Sequence, residues 1–105
     1  MKIYLRKKPL DDIIKNNKNI EIRLYRGIFN KIKINDIITF QSLNKSIIKI
    51  IKDIKLYNSF EELYNLENIS NITPDINSKD DFINYYKNIY RNYNLKNFKV
   101  IALFI

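Results

Sequence analysis

The sequence predicts one small α+β domain, and three observations support this. The chain has 105 residues, of which 46% are hydrophobic, so it can build one modest core but not two. Short segments in which apolar and polar residues alternate predict strands. Two serines that each precede an acid by three residues predict helix starts. We therefore expect a single domain, residues 1–105, that combines short strands with about three short helices.

The first seventeen residues predict a strand followed by a short helix. Residues 1–5 have the composition of a strand, and Pro9 with the acids Asp11 and Asp12 is typical of a helix start. Proline suits the first turn, and acids suit the positive end of the helix dipole. The helix should end at Asn16 and Asn17, because Asn adopts the left-handed conformation more readily than other non-Gly residues.

Strict alternation over residues 20–24 predicts a second strand with one buried and one exposed face. Glu21 and Arg23 fall on the face predicted to be exposed. A basic loop with the only glycine, Gly27, follows this strand. Apolar residues then alternate at 32 and 34, and a turn at 35–36 leads into a strand over residues 37–40.

Residues 46–57 fit two interpretations. As a strand, they place one set of apolar residues on one face: Ile48, Ile50, Ile54 and Leu56. A helical stripe also fits the same segment. We favour a strand, because Ile is enriched in strands and two strong helix starts follow directly.

The second half of the chain predicts two helices and a closing strand. Ser59 and Ser78 head helices over residues 59–66 and 79–91, each with an acid three positions later. The second of these helices has an apolar stripe that we expect to be buried, formed by Phe82, Ile83, Tyr86, Ile89 and Tyr90. Residues 98–105 are apolar enough for a buried strand.

The composition excludes several kinds of chemistry. The chain has no Cys and no His, so it has neither a thiolate nucleophile nor a histidine general base, and a zinc site would need carboxylates alone. A single glycine cannot build a phosphate-binding P-loop or a dinucleotide fingerprint. We expect no metal and no cofactor.

The longest apolar run, residues 100–105, is far too short to span a membrane, so we expect a soluble cytoplasmic protein with no membrane partner.

The charge is concentrated in the first half of the chain. Residues 1–55 have 14 Lys and Arg against 5 Asp and Glu, whereas residues 56–105 have 5 against 6. The net charge of +8 suits a polyanionic partner, most simply nucleic acid. The alternative interpretation is that the lysines serve solubility alone.

The most concentrated polar chemistry lies over residues 18–23, which bring together Lys18, Glu21 and Arg23. Such a cluster could bind phosphate through the arginine and hold the lysine and glutamate as a proton-transfer pair. The alternative is an ordinary exposed charged face. Aromatic residues outside the predicted core, such as Tyr4 and Tyr25, could stack on a nucleobase.

The order of motifs along the chain resembles that of the ASCH domain, a member of the PUA-like superfamily. Two motifs in the first half carry the resemblance: Asn16-Asn17-Lys18-Asn19-Ile20-Glu21-Ile22-Arg23 and Ile32-Lys33-Ile34-Asn35-Asp36-Ile37-Ile38-Thr39-Phe40. The second half adds Tyr57-Asn58-Ser59-Phe60-Glu61-Glu62-Leu63, then Pro74, Tyr86 and Tyr90, and the closing strand Val100-Ile101-Ala102-Leu103. Asn stands at positions 16 and 35, where the ASCH pattern has Gly. Asn tolerates the positive φ that a Gly there suggests.

The resemblance implies a small PUA-like β-barrel flanked by about three short helices, with a cleft that accepts a nucleotide or RNA. Members of this family look like RNA-binding modules, and a few are enzymes: one branch is an amidohydrolase acting on N4-acetylcytidine and another is reported as a ribonuclease. Carried over by position, the lysine of the amidohydrolase is Lys18, its threonine position is occupied by Glu21, and its acid is Asp75. Because Glu21 lacks a hydroxyl, an acyl-enzyme route through that position is lost.

Three functional hypotheses follow. The leading one is a protein that binds RNA or a modified nucleoside, as a monomer or weak homodimer. In it, Lys18 and Arg23 contact phosphate and Glu21 contacts a base or sugar edge. The surrounding rim would be formed by Tyr25, Arg26, Lys31 and Lys33. The second is a hydrolase acting on RNA or an acylated nucleoside, with Lys18, Glu21 and Asp75 as catalytic residues. The third is a protein-interaction module.

Overall fold

The structure is a computed structural model that describes residues 1–105. It contains three α-helices, which are α1 Lys7–Ile14, α2 Phe60–Leu66 and α3 Lys79–Ile89. It also contains six strands, which are β1 Lys2–Tyr4, β2 Ile20–Leu24, β3 Ile37–Ser42, β4 Lys45–Ile50, β5 Asp53–Tyr57 and β6 Val100–Phe104. The predicted α+β class is therefore confirmed. None of the helices has the length and apolar character that crossing a membrane requires.

The strands form two separate three-stranded sheets, and no closed barrel is detected. The first sheet has the order β1-β3-β4, with β1 parallel and β4 antiparallel to β3. The second has the order β2-β6-β5 and is antiparallel throughout. Backbone hydrogen bonds near the end of the chain extend the second sheet beyond its strands: Lys52 N–H donates to the Phe104 carbonyl next to β5, and Ile105 N–H donates to the Asn19 carbonyl next to β2.

The segment over residues 46–57 is two strands, not one continuous strand. The chain leaves the first sheet at Ile50 and enters the second at Asp53. Ile51, between them, is fully buried, and its N–H donates to the Asp36 carbonyl. The face predicted from alternation is mostly exposed, since Ile48, Ile50 and Leu56 are all solvent-accessible. The alternation of apolar and polar residues correctly predicts strand in this segment. It does not predict the interruption at residues 51–52, where the chain passes from the first sheet to the second.

Two asparagines take the left-handed backbone conformation at the positions where it was predicted. Asn16 has φ 61° and follows the end of α1, and Asn35 has φ 75° in the turn before β3. Short polar side chains are tolerated in this region better than branched ones. Residues 31–36 otherwise form no strand, although Ile32 is buried. The Lys33 N–H instead donates to the Asp36 carboxylate, which closes the turn.

Strand β6 lies between two hydrophobic clusters and contributes to both. Val100 and Ala102 pack with α2 and α3 in one cluster, whereas Ile101 and Leu103 pack with α1 and the first sheet in the other. Successive side chains of a strand point to opposite faces, so a strand with a core on each side must be apolar at every position. This explains the uninterrupted apolar run at the end of the sequence.

Strand β4 is an edge of the first sheet, and its outer face is apolar. Ile48 and Ile50 are exposed there, and Ile37 of β3, which pairs with Ile50, is exposed as well. Lys45 and Lys49 are interspersed along the same strand. The edge therefore combines isoleucines that strengthen the strand with lysines that keep it charged.

Both predicted helix caps form. The Ser59 side chain accepts from the Glu62 N–H at 3.1 Å, and the Glu62 carboxylate accepts from the Asn58 N–H at 2.7 Å. Ser78 accepts from the Asp81 N–H at 3.2 Å. These bonds satisfy amide groups that have no partner within the helix.

Replacing Ser59 with Ala should lower the free energy of unfolding by about 1 kcal/mol, because an amide of the first turn of α2 loses its acceptor. Urea unfolding measures the change. Ser46→Ala is the control, since Ser46 is exposed on β4 and its side chain makes no hydrogen bond. Equal losses in the two variants would contradict a capping role for Ser59.

Candidate functional site

A cavity of about 450 Å³ opens beside β2, between the start of α1, the loop before α3 and the face of α3. This volume is in the range of small-molecule sites. Its charged lining comes from residues that are far apart in the sequence: Arg6, Lys8, Asp12, Lys18, Glu21, Arg23 and Asp75. Its aromatic lining comes from Tyr4, Tyr85, Tyr86 and Tyr90. Four residues predicted for the site, Lys18, Glu21, Arg23 and Asp75, therefore line one cavity.

Lys18 is held in place by the turn that follows α1. Its N–H donates to the Asp12 carbonyl, and the next N–H, that of Asn19, donates to the Asn71 carbonyl. The side chain is buried, and its Nζ donates to the carbonyls of Ile20 and Ile72, each at 2.8 Å. Lys18 therefore joins the start of β2 to the loop that precedes α3.

The third partner of Lys18 is Glu21. Lys18 Nζ lies 3.2 Å from Glu21 Oε1. An ammonium group has three N–H donors, and two carbonyls with one carboxylate oxygen use all three. With a side chain only 4% exposed and every donor engaged, Lys18 has no donor left for a phosphate group.

Glu21 is a buried carboxylate that lies between two cations. Its Oε2 accepts from Arg23 Nε at 2.9 Å, and its Oε1 faces Lys18. Burial alone would raise the pKa of this carboxyl, but the charges of Lys18 and Arg23 outweigh burial and hold the pKa below its ordinary value. Glu21 is therefore ionised at neutral pH and accepts hydrogen bonds without donating any.

The alternation of β2 predicted Glu21 on an exposed face, and this was wrong. Glu21 pairs with Leu103 of β6, and Arg23 pairs with Ile101, so both share a face with residues of the second hydrophobic cluster. This face looks toward the interior and the cavity, not toward bulk solvent. The ion pairs with Lys18 and Arg23 are what allow a carboxylate to occupy it.

Arg23 extends the ion pair toward the cavity mouth. One terminal nitrogen donates to the Tyr4 carbonyl at 3.1 Å, and the guanidinium carbon lies 5.5 Å from the centre of the Phe29 ring. Burial would lower the pKa of Arg23, but Glu21 raises it further, so the charge is permanent. A guanidinium has five N–H donors, and Glu21 and Tyr4 use two of them.

Asp75 lies at the rim. Its side chain is 72% exposed, and its Oδ2 lies 2.9 Å from Lys8 Nζ. Lys8 also donates to Asp12 at 2.6 Å, and these two carboxylates raise the pKa of Lys8 to about 12. Lys8 thus links α1 to the loop before α3 across the cavity mouth.

The predicted rim residues Tyr25, Arg26, Lys31 and Lys33 do not line the cavity. They follow the end of β2 that is remote from Lys18, where a turn over Gly27–Asn30 redirects the chain. Tyr25 packs against the second hydrophobic cluster, and the Arg26 guanidinium lies 5.1 Å from the centre of the Tyr93 ring. The prediction placed them at the cleft because they are near in sequence, and the direction of the strand carries them away from it.

Sequence reasoning missed several lining residues as parts of the site, among them Arg6, Tyr85 and Thr73. Tyr85 lies one position off the buried stripe of α3, a signal that it faces a different neighbour. The Thr73 hydroxyl is buried and has no hydrogen-bond partner. No pattern in the sequence predicts that Thr73 is buried, because its burial depends on how the loop packs.

No group of three or more acidic, His or Cys side chains is arranged to hold a metal ion.

Comparison with known proteins finds relatives among solved structures only. No family model and no curated protein matches the sequence. The solution structure of protein PF0455 from Pyrococcus furiosus superposes with a TM-score of 0.77 at 30% identity, covering 97% of this chain and 91% of that one. The chain belongs to the same family as PF0455. The hypothetical protein PH0355 is similar over 98% of this chain and 94% of its own, with a TM-score of 0.87 and 29% identity. The resemblance to PF0455 and PH0355 thus extends over the whole domain, including every element that surrounds the cavity.

In this member of the PF0455 family, Glu21→Gln should lower the free energy of unfolding at neutral pH by about 3 kcal/mol, because the buried Lys18 and the partly buried Arg23 lose their counter-charge. Glu61→Gln is the matched control, since Glu61 is exposed and forms no ion pair. Urea unfolding of both variants measures the difference. Equal, small losses would show that the buried ion pair contributes little to stability.

The same carboxylate should make stability depend on pH. Because the folded pKa of Glu21 is lowered, its contribution is fully present above the ordinary pKa of 4.5 and is lost as the pH falls through the folded pKa. The unfolding free energy measured across this acid range should therefore fall less steeply in Glu21→Gln than in the wild type. An identical slope in the two proteins would contradict the lowered pKa.

Thr73→Val should raise the free energy of unfolding by about 1 kcal/mol, because valine has the same shape and removes a buried hydroxyl that has no partner. Thr73→Ser is the control, since it keeps the hydroxyl and deletes the methyl group. Thermal or urea unfolding compares the two variants. A loss of stability in the valine variant would mean that the hydroxyl has a partner in solution.

Proposed function

We propose that this protein is an ASCH-type protein that binds RNA or a modified nucleoside in the cavity beside β2. In this proposal, the two sheets correspond to an opened form of the small PUA-like barrel. The chain passes directly from β4 of the first sheet to β5 of the second through the buried Ile51, and this supports that correspondence. The observation that carries the functional proposal is a cavity of about 450 Å³ whose lining combines four tyrosines, one from β1 and three from α3 and its C-terminal end, with a buried ionised carboxylate.

The tyrosines of the cavity provide aromatic rings on which the flat face of a nucleobase can stack. Tyr85 on α3 and Tyr90, which immediately follows α3, are half-buried, and Tyr86 is buried. Tyr86 is itself braced by Phe60, whose ring is stacked on it at 4.8 Å between centres. Proteins that recognise unpaired bases use aromatic rings in this way, because every base has a π face.

Glu21 and Arg23, at the floor of the cavity, can form hydrogen bonds with the edge of a base. Each oxygen of Glu21 uses one acceptor position for Lys18 or Arg23, and each retains a second. Since Glu21 is ionised, those positions accept N–H groups, which the edges of amino-substituted bases carry. Arg23 retains unused N–H donors for a base carbonyl or ring nitrogen. Lys18 then acts by orienting Glu21, not by touching phosphate.

Binding is favoured over hydrolysis by the protonation states in the cavity. A proton-transfer pair needs one member that gives up or takes a proton readily near neutral pH. Lys18 has all three donors engaged, and the pKa of Glu21 is lowered by its two cations. Asp75 lies at the rim and is paired with Lys8. The roles of these three groups are better matched to orienting a ligand than to catalysis.

Tyr85→Ala should weaken binding about tenfold, since stacking on an aromatic side chain contributes about 1–3 kcal/mol per base. The probes are the four ribonucleosides, N4-acetylcytidine and short single-stranded RNA, with affinity measured by calorimetry or fluorescence. Tyr64→Ala is the matched control. Tyr64 is also half-buried and contacts Phe82, at 5.6 Å between ring centres, but it does not line the cavity.

The proposal is overturned if the wild type binds none of these probes, or if the two tyrosine variants lose affinity equally. Any bound nucleoside should also be recovered and examined for cleavage or deacylation. Product that accumulates with time and disappears in Lys18→Ala would move the protein from the binding class to the hydrolase class.

A further inference from the structure

We propose that Arg6 is the phosphate-binding side chain of this cavity, so that its ligand is a nucleotide or a nucleotide unit of RNA and not a free nucleoside. This inference rests on the proposed function and names the chemistry of its ligand more closely. It also moves the phosphate contact away from Lys18 and Arg23, to which the sequence assigned it.

The basic side chains that line the cavity differ in whether they have an ion-pair partner, and only Arg6 has none. Four basic side chains line the cavity. Lys18 and Arg23 share the carboxylate of Glu21, and Lys8 lies between the carboxylates of Asp12 and Asp75. Arg6 forms no ion pair and no side-chain hydrogen bond, and it is exposed at the mouth. It is therefore the lining cation whose charge is not compensated within the protein.

The surroundings of Arg6 favour an anion. Arg6 is the residue immediately before α1, whose first turn has no acidic side chain and no side-chain cap. The guanidinium is close enough to Tyr85 to oppose the rise in pKa that burial causes for that phenol. Arg6 and Tyr85 line the same cavity, so a free positive charge shares that space with the tyrosine that we assign to stacking.

The guanidinium group suits phosphate in particular. It presents five N–H donors in a planar fork that matches two phosphate oxygens, and all five are free in Arg6. A base stacked on Tyr85 would carry its sugar and phosphate toward the mouth, since Glu21 takes the base edge at the floor. A phosphate at the mouth also lets an RNA chain continue into solvent on either side.

The test compares Arg6→Ala with Lys7→Ala by calorimetry. Lys7 is the adjacent residue, is exposed, forms no ion pair and does not line the cavity, so both variants lose one positive charge from the same region. The probes are ribonucleoside 5′- and 3′-monophosphates and the corresponding nucleosides, at about 50 and 200 mM salt. Arg6→Lys keeps the positive charge and removes the planar guanidinium, so it tests whether the geometry of the guanidinium contributes to binding.

Arg6→Ala should weaken monophosphate binding roughly tenfold and leave nucleoside binding unchanged, whereas Lys7→Ala should change both only slightly. The salt dependence of monophosphate binding should also become shallower in Arg6→Ala alone. Equal effects of the two variants, or equal wild-type affinity for nucleosides and monophosphates, would overturn the role of Arg6 while leaving the nucleoside cavity intact. Wild-type protein that binds neither class of probe would overturn the proposed function itself.

Discussion

The carboxylate of Glu21 and its two cations connect four parts of the chain. Lys18 brings the turn after α1 and the carbonyl of Ile72 to this point, and Arg23 brings β2 and the carbonyl of Tyr4. A charged group buried without partners would cost more than a small domain can tolerate, so the three side chains are stable only together. Because each of them also faces the cavity, the interaction that fixes the loop before α3 also defines the floor of the site.

The second constraint is the position of β6. A single strand that belongs to two hydrophobic clusters allows a domain of 105 residues to hold two sheets and three helices without a large core. It also sets the place of the cavity, because β2 and β5 pair with β6 on opposite sides. The edge of β2 that faces away from β6 has no strand partner, and the space beside it is bounded by α1 and α3. The cavity occupies that space.

Local signals in the sequence were sufficient for most of the elements. The caps at Ser59 and Ser78 and the left-handed asparagines depend on contacts within a few residues, so the sequence contains all that is needed to predict them. The ion pair of Lys18 and Glu21 was also accessible from spacing, and the resemblance to the ASCH pattern directed attention to Asp75. What could not be predicted depends on contacts between distant segments. The burial of Glu21, the break at Ile51, the displacement of Arg26 from the cavity and the unpartnered Thr73 hydroxyl all arise from such contacts.

The lysines along β4 give the large net charge a second effect. The outer edge of that strand has free backbone N–H and C=O groups beside exposed Ile48 and Ile50, which is a surface on which another extended chain could pair. Lys45 and Lys49 oppose this by repulsion, and the range of that repulsion shrinks from about 10 Å at 0.1 M salt to about 3 Å at 1 M. Self-association of the protein should therefore depend on its ionic surroundings: high salt or a neutralising polyanion weakens the repulsion that protects this edge.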